Sequence, residues 1–113
     1  MSKRTRLVEF RGSSLDDLRA FPATARREAG YQLDQMQQGR DPDDWKAMNT
    51  IGPGVREIRI RDDAGAFRVI YVAKFAAAIY VLHCFQKKTQ KTAKADLELA
   101  ARRYRDLLKE INR

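Results

Sequence analysis

Residues 54–94, GVREIRIRDDAGAFRVIYVAKFAAAIYVLHCFQKKTQKTAK, decide the fold, because they read as three consecutive strands. From Val55 the apolar Ile58 and Ile60 point one way and Glu57, Arg59 and Arg61 the other, the alternation of a strand with one packed and one polar face. Residues 62–66, DDAGA, form a hairpin loop in which Gly65 is free to take a positive φ. Residues 67–75, FRVIYVAKF, and 79–85, IYVLHCF, are β-branched and aromatic, and apolar positions on both faces mark them as central strands. The same stretch holds nine Lys and Arg against three acids, a net of +6 in a chain whose total is +8. The flanks are thus nearly neutral, and a charge excess confined to a sheet points to a surface that meets a polyanion, a nucleic acid first of all.

Outward from the sheet, residues 6–11, RLVEFR, alternate weakly and are expected to form a short first strand. Ser13 or Ser14, followed by Asp16 and Asp17, reads as the N-cap of a helix with acids in its first turn. Pro22 interrupts that helix near Phe21 and starts a second one, from 22 to about 38, which Gly39 stops. Leu15, Leu18, Phe21, Ala25, Ala29, Leu33 and Met36 give the pair one apolar face. Residues 40–52, RDPDDWKAMNTIG, read as a connection anchored by Trp45, Met48 and Ile51. After Thr92, taken as a cap, Leu97, Ala100, Ala101, Tyr104, Leu107, Leu108 and Ile111 recur at helical spacing, and Arg102, Arg103, Arg105, Lys109 and Glu110 occupy a solvated face. The expected fold is α+β: a single domain over 1–113 in the order β-α-α-β-β-β-α, a small antiparallel sheet with helices packed on one face.

Composition narrows the function classes. With 43% hydrophobic residues, 113 residues suffice for one modest core. The lone cysteine, Cys84, allows no intrachain disulfide and no cysteine-based zinc site, which fits a reducing, cytoplasmic setting. The opening MSKRTRLVEF has no apolar leader core, and no run approaches the roughly 18–20 apolar residues of a membrane-spanning helix. One His, one Cys and scattered carboxylates reach no usual metal spacing and no Ser-His-Asp triad, and 52–54 precede a strand where a phosphate-binding glycine loop would precede a helix. Neither metal nor cofactor is expected.

What remains is arginine and lysine on strands. Arg56, Arg59, Arg61 and Arg68 gather in one hairpin, with Arg61 and Arg68 expected near one another across the ladder. Their simplest reading is a solvated strand face balanced by Glu57, Asp62 and Asp63; their functional reading is an anion-binding floor. Arg68 favours the second, since a guanidinium between Phe67 and Val69 in an apolar strand needs a partner or an anion. The basic run FQKKTQKT, 85–92, follows the last strand directly and would bring Lys87 and Lys88 beside the hairpin arginines. His83, Tyr71 and Tyr80 read as core residues, and Trp45 as a structural anchor.

WKAMNTIGPGVREIRI, FRVIYVAKF, IYVLHCFQKKTQKT and the closing amphipathic helix resemble the RelE/ParE superfamily of type II toxins, in particular its phage-derived HigB-like branch, from about Val8 onward. The resemblance implies a RelE-like toxin that cuts mRNA in the ribosomal A site, contacts rRNA, and is neutralised by a cognate antitoxin, often of the helix-turn-helix type, with no membrane partner. Cleavage of this kind proceeds by attack of the 2′-OH on the adjacent phosphate and requires a base, cations for the phosphorane and an acid for the leaving oxygen. By resemblance Arg68 stabilises the added negative charge, one of Lys87 and Lys88 acts as base if neighbouring cations lower its pKa while the other binds phosphate, and Glu57 is an alternative base or an orienter of Arg68. Arg56, Arg59, Arg61 and Lys91 would hold the RNA backbone. The chain lacks the C-terminal Asp-Tyr-His site of some HigB proteins. Two alternatives remain: a ParE-like toxin that inhibits DNA gyrase without cutting RNA, and a degenerate module that retains only antitoxin binding.

Overall fold

The computed structural model describes residues 5–112. Residues 1–4 and 113 lie outside it, and with them the first four residues of the stretch MSKRTRLVEF on which the expectation of no leader rests. The elements are β1 (Leu7–Phe10), α1 (Ser14–Arg19), α2 (Ala23–Gln37), β2 (Trp45–Ala47), β3 (Val55–Asp62), β4 (Gly65–Val72), β5 (Ala78–Lys87) and α3 (Lys94–Ile111). No helix among the described residues is long and apolar enough to cross a membrane. The strands form one five-stranded sheet in the order β1-β5-β4-β3-β2.

This is an α+β fold that differs from the sequence expectation in three respects. The connection 40–52 contains the short strand β2, antiparallel to β3 with Lys46 opposite Glu57. Three residues are too few to show alternation, so only the pairing reveals it. The sheet is also mixed: β2 to β5 run as an antiparallel meander, but β1 lies parallel to β5. No hairpin fixes the direction of β1, because the two helices after it carry the chain to the far edge of the sheet. Finally, the helices cover both faces. Leu18, Phe21, Ala25, Ala29, Leu33 and Met36 of the α1–α2 segment pack on Ile58, Ile60, Phe67, Val69 and Val81. On the opposite face Ala100, Tyr104 and Leu107 of α3 pack on Val55, Ile70, Val72, Tyr80 and Leu82. Strands apolar on both faces require cover on both, since each exposed apolar face would forfeit burial energy.

Details of the ends follow from local chemistry. Pro22 is the N-cap of α2 and precedes its first turn, and Ala93, not Thr92, is the N-cap of α3. Ser13 makes no capping bond; its hydroxyl donates to Asp17 at 2.8 Å and accepts from Arg103 at 3.1 Å. Arg103 also donates to the Leu82 carbonyl at 2.9 Å, so it ties α3 to β5 and is no member of a solvated face. The hairpin is tighter than expected, with Asp62 paired to Gly65 and Gly65 at φ 133°. Cys84 is buried, which pushes its thiol up to about 12 and leaves it unreactive at neutral pH.

Gly52 is the position where absence of a side chain matters most. It is buried against the Tyr104 ring, whose hydroxyl donates to the Pro53 carbonyl at 3.0 Å, and a Cβ there would collide with that ring. Gly52→Ala is expected to lose about 1–3 kcal/mol through overpacking, measured as a lower midpoint in urea unfolding with an unchanged slope.

Candidate functional site

The meander brings the chain's basic residues together by parity. Because partners across a ladder share a face, the pairs Glu57↔Ile70, Arg59↔Arg68 and Arg61↔Ala66 place Glu57, Arg59, Arg61 and Arg68 on the α3 face of the sheet. The pairs Arg68↔Phe85 and Ala66↔Lys87 add Lys87 to the same face. Arg61 and Arg68 are diagonal neighbours, while the directly opposed pair is Arg59 with Arg68. Two guanidiniums facing each other in a ladder repel. Acids offset that repulsion: Asp44 accepts from Nε and a terminal nitrogen of Arg59 at 2.9 and 2.8 Å, and Glu57 lies 3.3 Å from Nε of Arg68.

The Glu57–Arg68 pair is the most unusual feature of this face. Glu57 is 2% exposed and Arg68 8%. Their approach lacks hydrogen-bond geometry, so Oε2 of Glu57 and Nε of Arg68 are both buried with no partner, and a terminal nitrogen of Arg68 donates only to the Phe67 carbonyl at 3.1 Å. Burial raises the Glu57 pKa above 4.5, and the attraction of Arg68, Lys87, Lys46 and Arg59 offsets this only in part. Burial likewise lowers the Arg68 pKa, against the attraction of Glu57. A buried ion pair that leaves polar atoms without partners is weak evidence of a stabilising role, and charged groups perturbed by burial beside a concavity are candidates for function.

Arg68 opens onto a hollow of about 470 Å³ lined by Arg61, Ala66, Arg68, Lys87, Lys88, Thr89 and Gln90. Four cations and no acid line it. A smaller hollow of about 140 Å³, lined by Asp44, Arg59, Ile60, Arg61 and Arg68, adjoins it. The side chains that the sequence singled out as Arg68, Lys87 and Lys88 therefore meet around one concavity, where hydrogen-bond donors and positive charge converge as an oxyanion requires. Glu57 is absent from both linings and sits against the Nε side of Arg68.

Two expected members are not brought in. Arg56 pairs with Tyr71 in the ladder and belongs to the α2 face, where its guanidinium lies 3.9 Å from the centre of the Trp45 ring. Lys91 is exposed in the loop after β5 and lines neither hollow. Conversely, Lys46 on β2 stands opposite Glu57, and Asp44 holds Arg59; both lie in the segment read as connection, where no periodicity marked them. His83 is buried as expected, stacked on Phe85 at 4.9 Å, with Nε2 2.7 Å from Oδ1 of Asp96 on α3. The bulge at Ile70/Tyr71 lets the consecutive Leu82 and His83 both reach α3.

The curated proteins contain no match to this chain. Residues 16–105, which run from within α1 to within α3 and include every residue of the hollow, match the family described as phage derived protein Gp49-like (DUF891). The chain thus belongs to the Gp49-like family of phage-derived proteins, a family of RelE-like toxins.

Proposed function

We propose that the protein is the toxin of a type II toxin–antitoxin pair and that it cuts mRNA engaged by the ribosome. The observation that carries this reading is the convergence of Arg61, Arg68, Lys87 and Lys88 on one acid-free hollow, with Arg68 held from behind by a buried carboxylate. The 2′-oxygen attacks phosphorus, a P–O2′ bond forms and the P–O5′ bond breaks; the proton of the 2′-OH passes to a base and the departing 5′-oxygen receives one from an acid. Arg68 lies where the extra negative charge of the phosphorane develops. Lys87 and Lys88 take the proton-transfer and phosphate-binding tasks, and Glu57 positions Arg68 without touching RNA. Arg61 and Arg59 hold the backbone on either side. Membership of the family supports an antitoxin as partner, and the HigB-like resemblance supports a helix-turn-helix type for it.

Ribosomes programmed with a defined mRNA test the reading. The wild type is expected to cleave within the codon of the A site, and Lys87→Ala to slow cleavage by about 10²-fold or more. Arg56→Gln, on the other face, should cleave at the wild-type rate. Equal losses in Lys87→Ala and Arg56→Gln would mean that the hollow is not the reacting site.

A further inference from the structure

A second cation cluster lies on the opposite face of the sheet, at the end away from the hairpin. Arg6, Arg40, Arg56 and Lys74 line a cavity of about 240 Å³ with a single acid, Asp41. Its arginines are already held in place. Arg6 donates to the carbonyls of Ala73, Phe75 and Ala78, Arg40 to the Gln35 side chain at 2.7 Å, and Arg56 rests on Trp45 and reaches Asp41 at 3.3 Å. A ligand would therefore meet donors whose side-chain freedom is spent beforehand. Tyr71 also lines the cavity; the residue is 1% exposed, and its hydroxyl, which lies within reach of the Arg56 guanidinium, has no acceptor. Arg56 stands beside that hydroxyl but does not outweigh the burial that raises the phenol's pKa, so at neutral pH the group is a donor lacking an acceptor.

We propose that this cavity binds a carboxylate, the Asp or Glu side chain of an acidic segment on a partner protein. Its two oxygens match the two kinds of donor present, the recessed Tyr71 hydroxyl and the Arg56 fork. Met36, Ala73 and the Tyr71 ring offer an apolar wall to the stem that carries the carboxylate. A phosphodiester, flanked by a ribose on either side, presents its oxygens on a convex chain and reaches a recessed hydroxyl poorly. The cavity is separate from Arg68, Lys87 and Lys88, so the proposal stands or falls independently of RNA cleavage.

Trp45 is the only tryptophan and lies under Arg56, so its fluorescence reports a ligand that engages Arg56. The full chain would be titrated with hexaglutamate, with inorganic phosphate and with a short single-stranded RNA at matched ionic strength. Hexaglutamate is expected to shift the Trp45 emission saturably, with Tyr71→Phe weakening its binding by about tenfold through loss of one charge-assisted hydrogen bond and the exposed-site variant Arg40→Gln weakening it less, through loss of one cavity-lining charge. Tyr71→Phe should melt at or above the wild-type temperature, since the buried hydroxyl it removes lacks an acceptor. Three results would overturn the proposal: a response to phosphate or RNA as strong as that to hexaglutamate, unchanged hexaglutamate affinity in both variants, or a Tyr71→Phe chain less stable than the wild type.

Discussion

Arg68→Gln is expected to lower cleavage of ribosome-engaged mRNA by about 10²–10³-fold, the usual consequence of removing one donor aimed at developing negative charge. The same substitution strands Glu57, which is 2% exposed and whose Oε2 has no hydrogen-bond partner. A buried carboxylate deprived of its cation takes up a proton sooner than it stays charged. The variant should therefore be less stable than the wild type at neutral pH, with the difference shrinking as the pH falls and Glu57 protonates. Activity by primer extension and stability by urea unfolding at two pH values separate the two effects. Loss of stability without loss of cleavage would reduce Arg68 to a structural residue.

Glu57→Gln should behave in the opposite way. It keeps the shape and an acceptor for Arg68 but removes the desolvated charge. The folded pKa of Glu57 lies above the 4.5 of an unperturbed glutamate, so the native chain holds this proton more tightly than the unfolded one. The stability that results is complete below about 4.5 and is lost as the pH rises through the raised folded value. Glu57→Gln abolishes that part of the pH dependence and costs less stability at neutral pH than Arg68→Gln, because the Arg68 guanidinium still faces the hollow whereas Glu57 lines none. It does cost activity, about 10²-fold, because the amide lacks the charge that aims Arg68 and small misplacements weigh heavily on a phosphoryl transition state. A variant that keeps its fold and loses its rate is the signature of a positioning residue; one that unfolds at neutral pH would assign Glu57 to the core.

Much of this was legible in the sequence, and the misses have physical causes. Alternation and β-branching mark β3 to β5, and the helical recurrence from Leu97 to Ile111 marks α3, because each element has one or two faces to bury. β2 has three residues and hence no period, and the parallel placement of β1 depends on a crossover that no local signal encodes. Arg103 looks solvated by periodicity, yet its length carries its head to the Leu82 carbonyl. In the site, Arg68 stood out because a charge within an apolar strand needs a reason. The separation of Arg56 from the hollow was legible too: it is three residues from Arg59, and odd spacing on a strand means opposite faces. Lys46 gave no sign, because its place beside Glu57 exists only once β2 has paired.

The position of Arg68 with Lys87 and Lys88 around one hollow makes a chemical demand on the products. Mapping both RNA ends after reaction of the wild-type chain with programmed ribosomes tests the account most directly. The account predicts a break within the A-site codon that leaves a 2′,3′-cyclic phosphate and a 5′-hydroxyl, absent with Arg68→Gln. Intact mRNA together with accumulation of gyrase–DNA cleavage complexes, or an intact mRNA with no toxicity at all, would contradict it.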